Sequence, residues 1–216
     1  MNEFDRAPRR QKRSCDVCDH RLDCPRMRGA NICFGAMPPE VDTPRTQNMR
    51  DRSEAMQELI QKLSTTKGRR QALVDILVND GAALLGSSIA YYATMNDAED
   101  VLTMVGWSKS AMDMCKVMDK PIVYPLDETG MWGDAVRERQ AIITNDYEAL
   151  KKPTKKGYPA GHVKIVRHLN GPIWEGSHIA GVFGVGNKLT DYTAEDAKLL
   201  VELGKVAWPI LKRAKE

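Results

Sequence analysis

No stretch of this 216-residue chain is long and apolar enough to cross a membrane, because a spanning helix needs ~20 predominantly apolar residues in a row. The N-terminal MNEFDRAPRRQKR carries positive charge with no apolar run behind it, which excludes a secretory signal there. Strong charge bias is missing too. The formal net charge is +3, too small to argue for a nucleic-acid partner. The basic residues that do cluster, Arg6, Arg9, Arg10, Lys12 and Arg13, read as a solvated tail in preference to a nucleic-acid arm. Cysteine is nearly absent outside one segment. Together these features predict a soluble chain in the reducing cytoplasm. There, clustered cysteines serve metal or redox chemistry more often than disulfides. The remaining composition, 42% hydrophobic and 28% charged, is ordinary and suits one medium domain with appendages.

Four of the five cysteines, Cys15, Cys18, Cys24 and Cys33, follow the pattern C-x2-C-x5-C-x8-C. Four thiolates so close can hold a tetrahedral zinc ion or an iron–sulfur cluster. Only one C-x-x-C knuckle is present, whereas a zinc ribbon has two. The opening three-cysteine run is similar to that of oxygen-sensing iron–sulfur regulators of the fumarate–nitrate type. The fourth ligand would then be the nearby Cys33 or the remote Cys115. Haem attachment through C-x-x-C-H is excluded, because Asp19 stands where histidine is required and His20 comes one place late. The metal therefore stays open between iron–sulfur and zinc, with free thiols as the remaining alternative. Cys115, among Met112, Met114 and Met118, reads as a small buried apolar side chain.

Along the chain, residues 1–46 hold the basic tail, the cysteine segment and a proline-bearing loop. Their apolar content is too low for an independent core, so bound metal would supply the order. Residues 47–66 form a linker or dimerisation helix, predicted over 47–64, with Met49, Met56 and Leu63 recurring every seven residues. A domain over 67–216 follows. It opens with a helix over 69–84 and strands over 87–96 and 101–107. A short helix over 108–119, an extended piece over 121–126, a helical stretch over 130–139 and a strand over 141–146 come next. Residues 163–187 read as one hairpin turning at Glu175-Gly176. A last helix is capped by Thr193, with Asp196 in the capping-box position, and carries an apolar stripe from Leu199 to Leu211. Strands joined by tight turns predict an antiparallel sheet and an α+β fold with helices on one face.

The motifs sharpen this. GMWG at 130–133, NDY at 145–147, KGYPAGH at 156–162, Arg167-His168, GVGNK at 184–188 and YTAED at 192–196 occur in that order. This set resembles the GAF domain, in the subgroup found in bacterial and archaeal sensor histidine kinases and related signalling proteins. The resemblance covers roughly residues 68–214. It implies an antiparallel sheet with dimerising helices on one face and a ligand pocket on the other. It also implies a sensory role with no particular ligand.

On that implied pocket, Trp132, Tyr158, His162, Arg167 and His168 are the candidate ligand-binding residues. Arg167 offers a bidentate grip on a carboxylate or phosphate. His162 and His168 offer donors or metal ligands, and Trp132 a stacking surface. The bland reading ties Arg and His to backbone carbonyls and puts Trp132 in the core. Strand alternation places Arg167 and His168 on opposite faces, so both reach the pocket only if a bulge intervenes. GVFGVGN lies within a strand and is no phosphate loop.

Three functions follow. The first is a stand-alone sensory protein that binds a small ligand, senses redox state through its cysteines, or both. It would act as a homodimer and signal to a partner such as a histidine kinase or regulator. The second is a zinc-stabilised dimeric adaptor. The third is a thiol-dependent reductase, disfavoured because Cys115 is the sole cysteine of the domain. No catalytic residue is assigned and an enzyme is the weaker reading. The chain ends just past the last helix, which leaves output to a partner.

Overall fold

The computed structural model describes residues 44–115, 123–158 and 160–215, with side chains from residue 47 onward. The four-cysteine segment lies outside the described residues, as do residues 116–119 of the helix expected over 108–119.

Helix α1, Pro44–Thr65, matches the expected amphipathic helix. Its two ends differ. Met49 is 58% exposed, whereas Leu59 and Leu63 are buried and Met56 packs beside them. The second half of α1 therefore belongs to the domain core. Helix α2, Arg70–Leu84, buries Leu73, Val74, Leu77, Val78, Gly81 and Ala82. Their three- and four-residue spacing makes one continuous stripe.

Six strands follow: β1 Ile89–Met95, β2 Val101–Trp107, β3 Val123–Pro125, β4 Ile142–Thr144, β5 His168–Glu175 and β6 His178–Gly186. They form one sheet in the order β3-β2-β1-β6-β5-β4, with every neighbouring pair antiparallel. The β1–β2 turn is held by Asn96, whose Oδ1 accepts from the amides of Asp100 (3.1 Å) and Val101 (3.0 Å). Short helices α3, Lys109–Met114, and α4, Asp134–Arg137, lie between the strands. Helix α5, Ala194–Arg213, closes the domain.

The sheet has two unlike faces. Strand alternation sends Leu169 and Ile173 of β5, Phe183 and Val185 of β6 and Tyr92 of β1 into a core with α1, α2 and α5. Met95, Leu102, Ile179 and Val182 go to the other face, where loops and α4 cover them. Register shifts in β2 and β6 put an extra residue, Val105 and Ala180 respectively, into each strand. Such bulges let Ile179 and Val182 share a face despite their odd spacing. Gly81 lets α2 close on the sheet, since a Cβ there would lie 2.8 Å from the Phe183 ring.

Several elements are shorter than predicted, among them the strands expected over 87–96 and 141–146, which run Ile89–Met95 and Ile142–Thr144, and the hairpin expected over 163–187. The hairpin begins at His168, five residues after Val163. Asn187, at φ +57°, explains the change. Its Oδ1 accepts from the Val166 amide (2.9 Å) and its Nδ2 donates to the Lys164 carbonyl (2.8 Å). Those backbone groups are satisfied by a side chain and leave the strand ladder.

The last helix starts as predicted. Thr193 and Asp196 form a reciprocal capping box with the shorter acid. Asp196, fully buried, also accepts from Lys188 Nζ (2.7 Å) and from Arg52 Nη2 of α1 (2.5 Å). Burial favours the neutral acid here. Lys188, the Thr193 amide and Arg52 outweigh it and hold the carboxyl below the usual carboxylate range.

Candidate ligand-binding site

The face of the sheet turned away from α1, α2 and α5 carries a cavity of about 380 Å³. That is the size of small-molecule sites, which run from ~300 to ~1,000 Å³. Its floor is β1, β5 and β6, through Tyr91, His168, Asn170, Gly184 and Gly186. Four sulfur-bearing residues, Met104, Met112, Cys115 and Met131, line it too. Cys115 is the one free cysteine among the described residues. Tyr91, Trp107, Tyr124, Trp132, Tyr147 and Tyr158 add aromatic rings to the lining.

Two aromatic groups shape the space. The Trp132 ring stands edge-on to Tyr91 (centroids 5.8 Å, 86°) and to Tyr124 (5.2 Å, 87°). In the second group, Tyr158 lies against Tyr147 (5.7 Å) and His162 (5.0 Å), and Tyr147 meets His168 edge-on at 5.9 Å. Edge-to-face contacts fix ring planes and hold flat surfaces ready for a flat ligand.

A chain of polar side chains runs beneath. Tyr91 Oη donates to Asn170 Oδ1 at 2.8 Å. Asn170 Nδ2 lies 2.6 Å from His168 Nδ1. An amide nitrogen only donates, so Nδ1 accepts and the imidazole proton sits on Nε2. Burial pushes the His168 imidazole down to about 4, against the pull of the Asp134 carboxylate and helped by Lys152. The ring is therefore neutral at physiological pH. Burial likewise raises the Tyr91 phenol. Gly184 permits the arrangement, since a Cβ there would sit 2.1 Å from the Tyr91 ring and 2.5 Å from Asn170 Oδ1.

The rim is strapped by one carboxylate. Asp134, at the start of α4, accepts from Arg137 Nη1 (2.7 Å), Lys152 Nζ (2.7 Å) and Thr154 Oγ1 (2.8 Å). Burial opposes its ionisation, but these donors keep the Asp134 carboxyl below the usual carboxylate range. Arg137 in turn donates to the carbonyls of Leu126, Thr129 (2.8 Å) and Gly130 (3.1 Å). The two loops that border the cavity, 126–132 and 152–158, are thus tied at one point.

Of the residues singled out from sequence, Trp132, Tyr158, His162 and His168 line the cavity. Tyr158 and His162 are exposed on the rim, and His162 Nδ1 donates to the Val163 carbonyl at 2.7 Å. Arg167 is placed elsewhere. Its Nη1 donates to the carbonyls of Lys188 (2.7 Å) and Leu189 (3.0 Å), and its Nε faces Asp191 at 3.5 Å. The backbone leading into β5 is irregular, yet Arg167 and His168 still point apart. Sequence reasoning missed Asn170, Tyr91 and Asp134. Asn170 was findable, two places along a strand from His168 and so on the same face. Asp134 carried no such signal.

The described residues thus form an antiparallel α+β domain with α1, α2 and α5 on one face of the sheet and a cavity on the other. The chain belongs to the GAF domain family, whose model matches residues 69–212. It is 44% identical over 141 residues to the methyl sulfide methyltransferase-associated sensor of Methanosarcina acetivorans. That match covers 65% of this chain and 14% of the relative's length. Among solved structures, it is similar to the GAF domain of a Coxiella burnetii phosphoenolpyruvate-protein phosphotransferase, at TM-score 0.61 and 15% identity over 76% of this chain and 95% of that one. The free methionine-R-sulfoxide reductase of Neisseria meningitidis, in complex with its substrate, gives TM-score 0.57 and 14% identity over 74% of this chain and 88% of that one. These two likenesses describe the fold alone.

Proposed function

We propose that this chain is a sensory GAF protein that binds a small, flat, largely apolar ligand and passes its occupancy to a partner protein. The observation that carries this reading is the cavity, bordered by edge-packed aromatic rings and floored by a buried polar chain. The sensor named among the relatives supports the signalling half of the reading. The route outward runs through β6. Its glycines line the cavity, and Lys188, two residues beyond its end, reaches Asp196 and thereby Arg52 of α1. A homodimer formed through the helices, and a kinase or regulator as receiver, complete the proposal.

The cysteine segment supplies a second input. Cys15, Cys18, Cys24 and Cys33 hold an iron–sulfur cluster or zinc, and iron, sulfide and zinc analysis of anaerobically purified protein decides which. The cavity reading is tested with 8-anilinonaphthalene-1-sulfonate. Its fluorescence should rise with the wild-type chain, and hydrogen exchange in α1 should change on binding. A probe that binds without altering exchange in α1 would sink the signalling half.

A further inference from the structure

The cavity floor contains one polar group that the fold leaves without a partner. His168 is only 8% exposed and lines the cavity. Its Nδ1 is engaged by Asn170 at 2.6 Å. No hydrogen bond is made by its Nε2 among the described residues. Polar groups in protein interiors are as a rule satisfied by protein, water or ligand. Thr144 Oγ1 and Trp208 Nε1 are closed off without a hydrogen bond, whereas the His168 nitrogen belongs to a residue that lines the cavity. Here the neighbours go further and fix what that nitrogen is. Tyr91 Oη holds Asn170 Oδ1, which turns the amide so that Nδ2 faces the ring. Gly184 lets Tyr91 lie close enough to do so. Tyr147 meets the imidazole edge-on at 5.9 Å and limits its tilt. Four residues from three strands and a loop thus set both the orientation and the tautomer of one side chain, which no packing role requires.

We propose that His168 is the specificity-determining residue of the cavity, presenting Nε2–H to a hydrogen-bond acceptor on the ligand. The ligand class is an uncharged flat ring compound with one in-plane acceptor, either a ring nitrogen or an aryl carbonyl. The aromatic rings around it supply shape, and the neutral imidazole supplies direction. A purely hydrocarbon ring of the same size leaves the donor unpaired and binds more weakly. This inference depends on the reading of the cavity as a ligand site.

The test compares isoquinoline with naphthalene, equal in shape and differing in one acceptor nitrogen, at mildly alkaline pH where isoquinoline is neutral. Ligand-observed NMR with the full chain should show isoquinoline binding about tenfold more tightly, the discrimination expected for one buried donor left unpaired. His168→Phe should bring the two affinities together, and His168→Gln, which keeps a donor, should restore a gap. Naphthalene binding with no preference for isoquinoline in the wild type overturns the assignment and leaves the cavity reading intact. If neither probe binds, the cavity reading fails and takes this one with it. A second measurement is independent of any variant's folding. Nitrogen-15 NMR of the wild-type ring should show the proton on Nε2 and a bare Nδ1. A proton on Nδ1 overturns the proposal.

Discussion

Along β5, Leu169, Gly171 and Ile173 look toward α5, while His168, Asn170 and Trp174 look the other way. The first set is aliphatic or absent, and α5 presses on it so closely that a Cβ on Gly171 would meet Leu200 at 2.2 Å. The second set is ring-bearing or polar, and its His168 and Asn170 border the cavity. Alternation along one strand thus separates two tasks. The helix face maximises contact, where each lost methylene is felt. The cavity face sacrifices contact and spends hydrogen bonds on holding a void in shape. Stability and recognition are therefore expected to respond to different residues.

That separation can be broken most forcefully on the helix face. Phe183→Ala should cost about 3–5 kcal/mol, the usual toll for emptying a core aromatic site. Tyr158→Ala on the cavity rim should stay within about 1 kcal/mol. Urea denaturation followed by circular dichroism measures both, and equal losses would erase the distinction. Next comes Asp196, where the helix face is tied to the end of β6. Asp196→Asn should cost about 3 kcal/mol at neutral pH, by leaving Lys188 and Arg52 without their anion.

The pH dependence has a definite sign. Asp196 and Asp134 are both held below the usual carboxylate range when folded. The unfolded chain therefore binds protons first as pH falls. Their contribution is full above the ordinary carboxylate range, near pH ~4, and is lost as pH drops through the lower folded values. The urea midpoint should fall over that acid window, and less steeply in Asp196→Asn. A midpoint indifferent to acid would refute the ionised arrangement.

A smaller effect sharpens the other side. Ala111→Phe, which fills the cavity from α3, should change stability by no more than about 1–2 kcal/mol. It should return the fluorescence of 8-anilinonaphthalene-1-sulfonate to background. Persistent fluorescence would place the probe elsewhere. The smallest expected change concerns the cysteine segment. Cys18→Ser should abolish bound metal while leaving the urea midpoint of the GAF domain where it was. Unchanged metal content would dismiss the proposed ligand set.

Much of this fold was legible in the sequence, for reasons that differ by element. Helices α1, α2 and α5 announce themselves through spaced apolar residues, and α5 also through Thr193 and Asp196 at its start. The sheet and its turns follow from β-branched runs closed by Asn96 and Gly176. The start of β5 was misplaced because Asn187, distant in sequence, takes over the backbone groups of Lys164 and Val166. The candidate site was legible only in part. Trp132, Tyr158, His162 and His168 stood out by residue type on segments that the resemblance puts at the pocket, and each lines the cavity. Arg167 stood out for the same reason but holds the chain after β6. Tyr91 and Asn170 matter through contacts across strands, and one sequence does not display its strand pairings.

The shared carboxylate of Asp196 sets an order of failure. If Arg52 lets go, Lys188 still neutralises the acid and Thr193 still closes the first turn of α5. If Asp196 is lost, the tie to α1, the anchor at the end of β6 and the helix cap go together. The joint therefore behaves as a fuse. The first half of α1 can lift by giving up the Arg52 ion pair, while its second half stays anchored by Leu59, Leu63 and the Lys62–Asp80 pair.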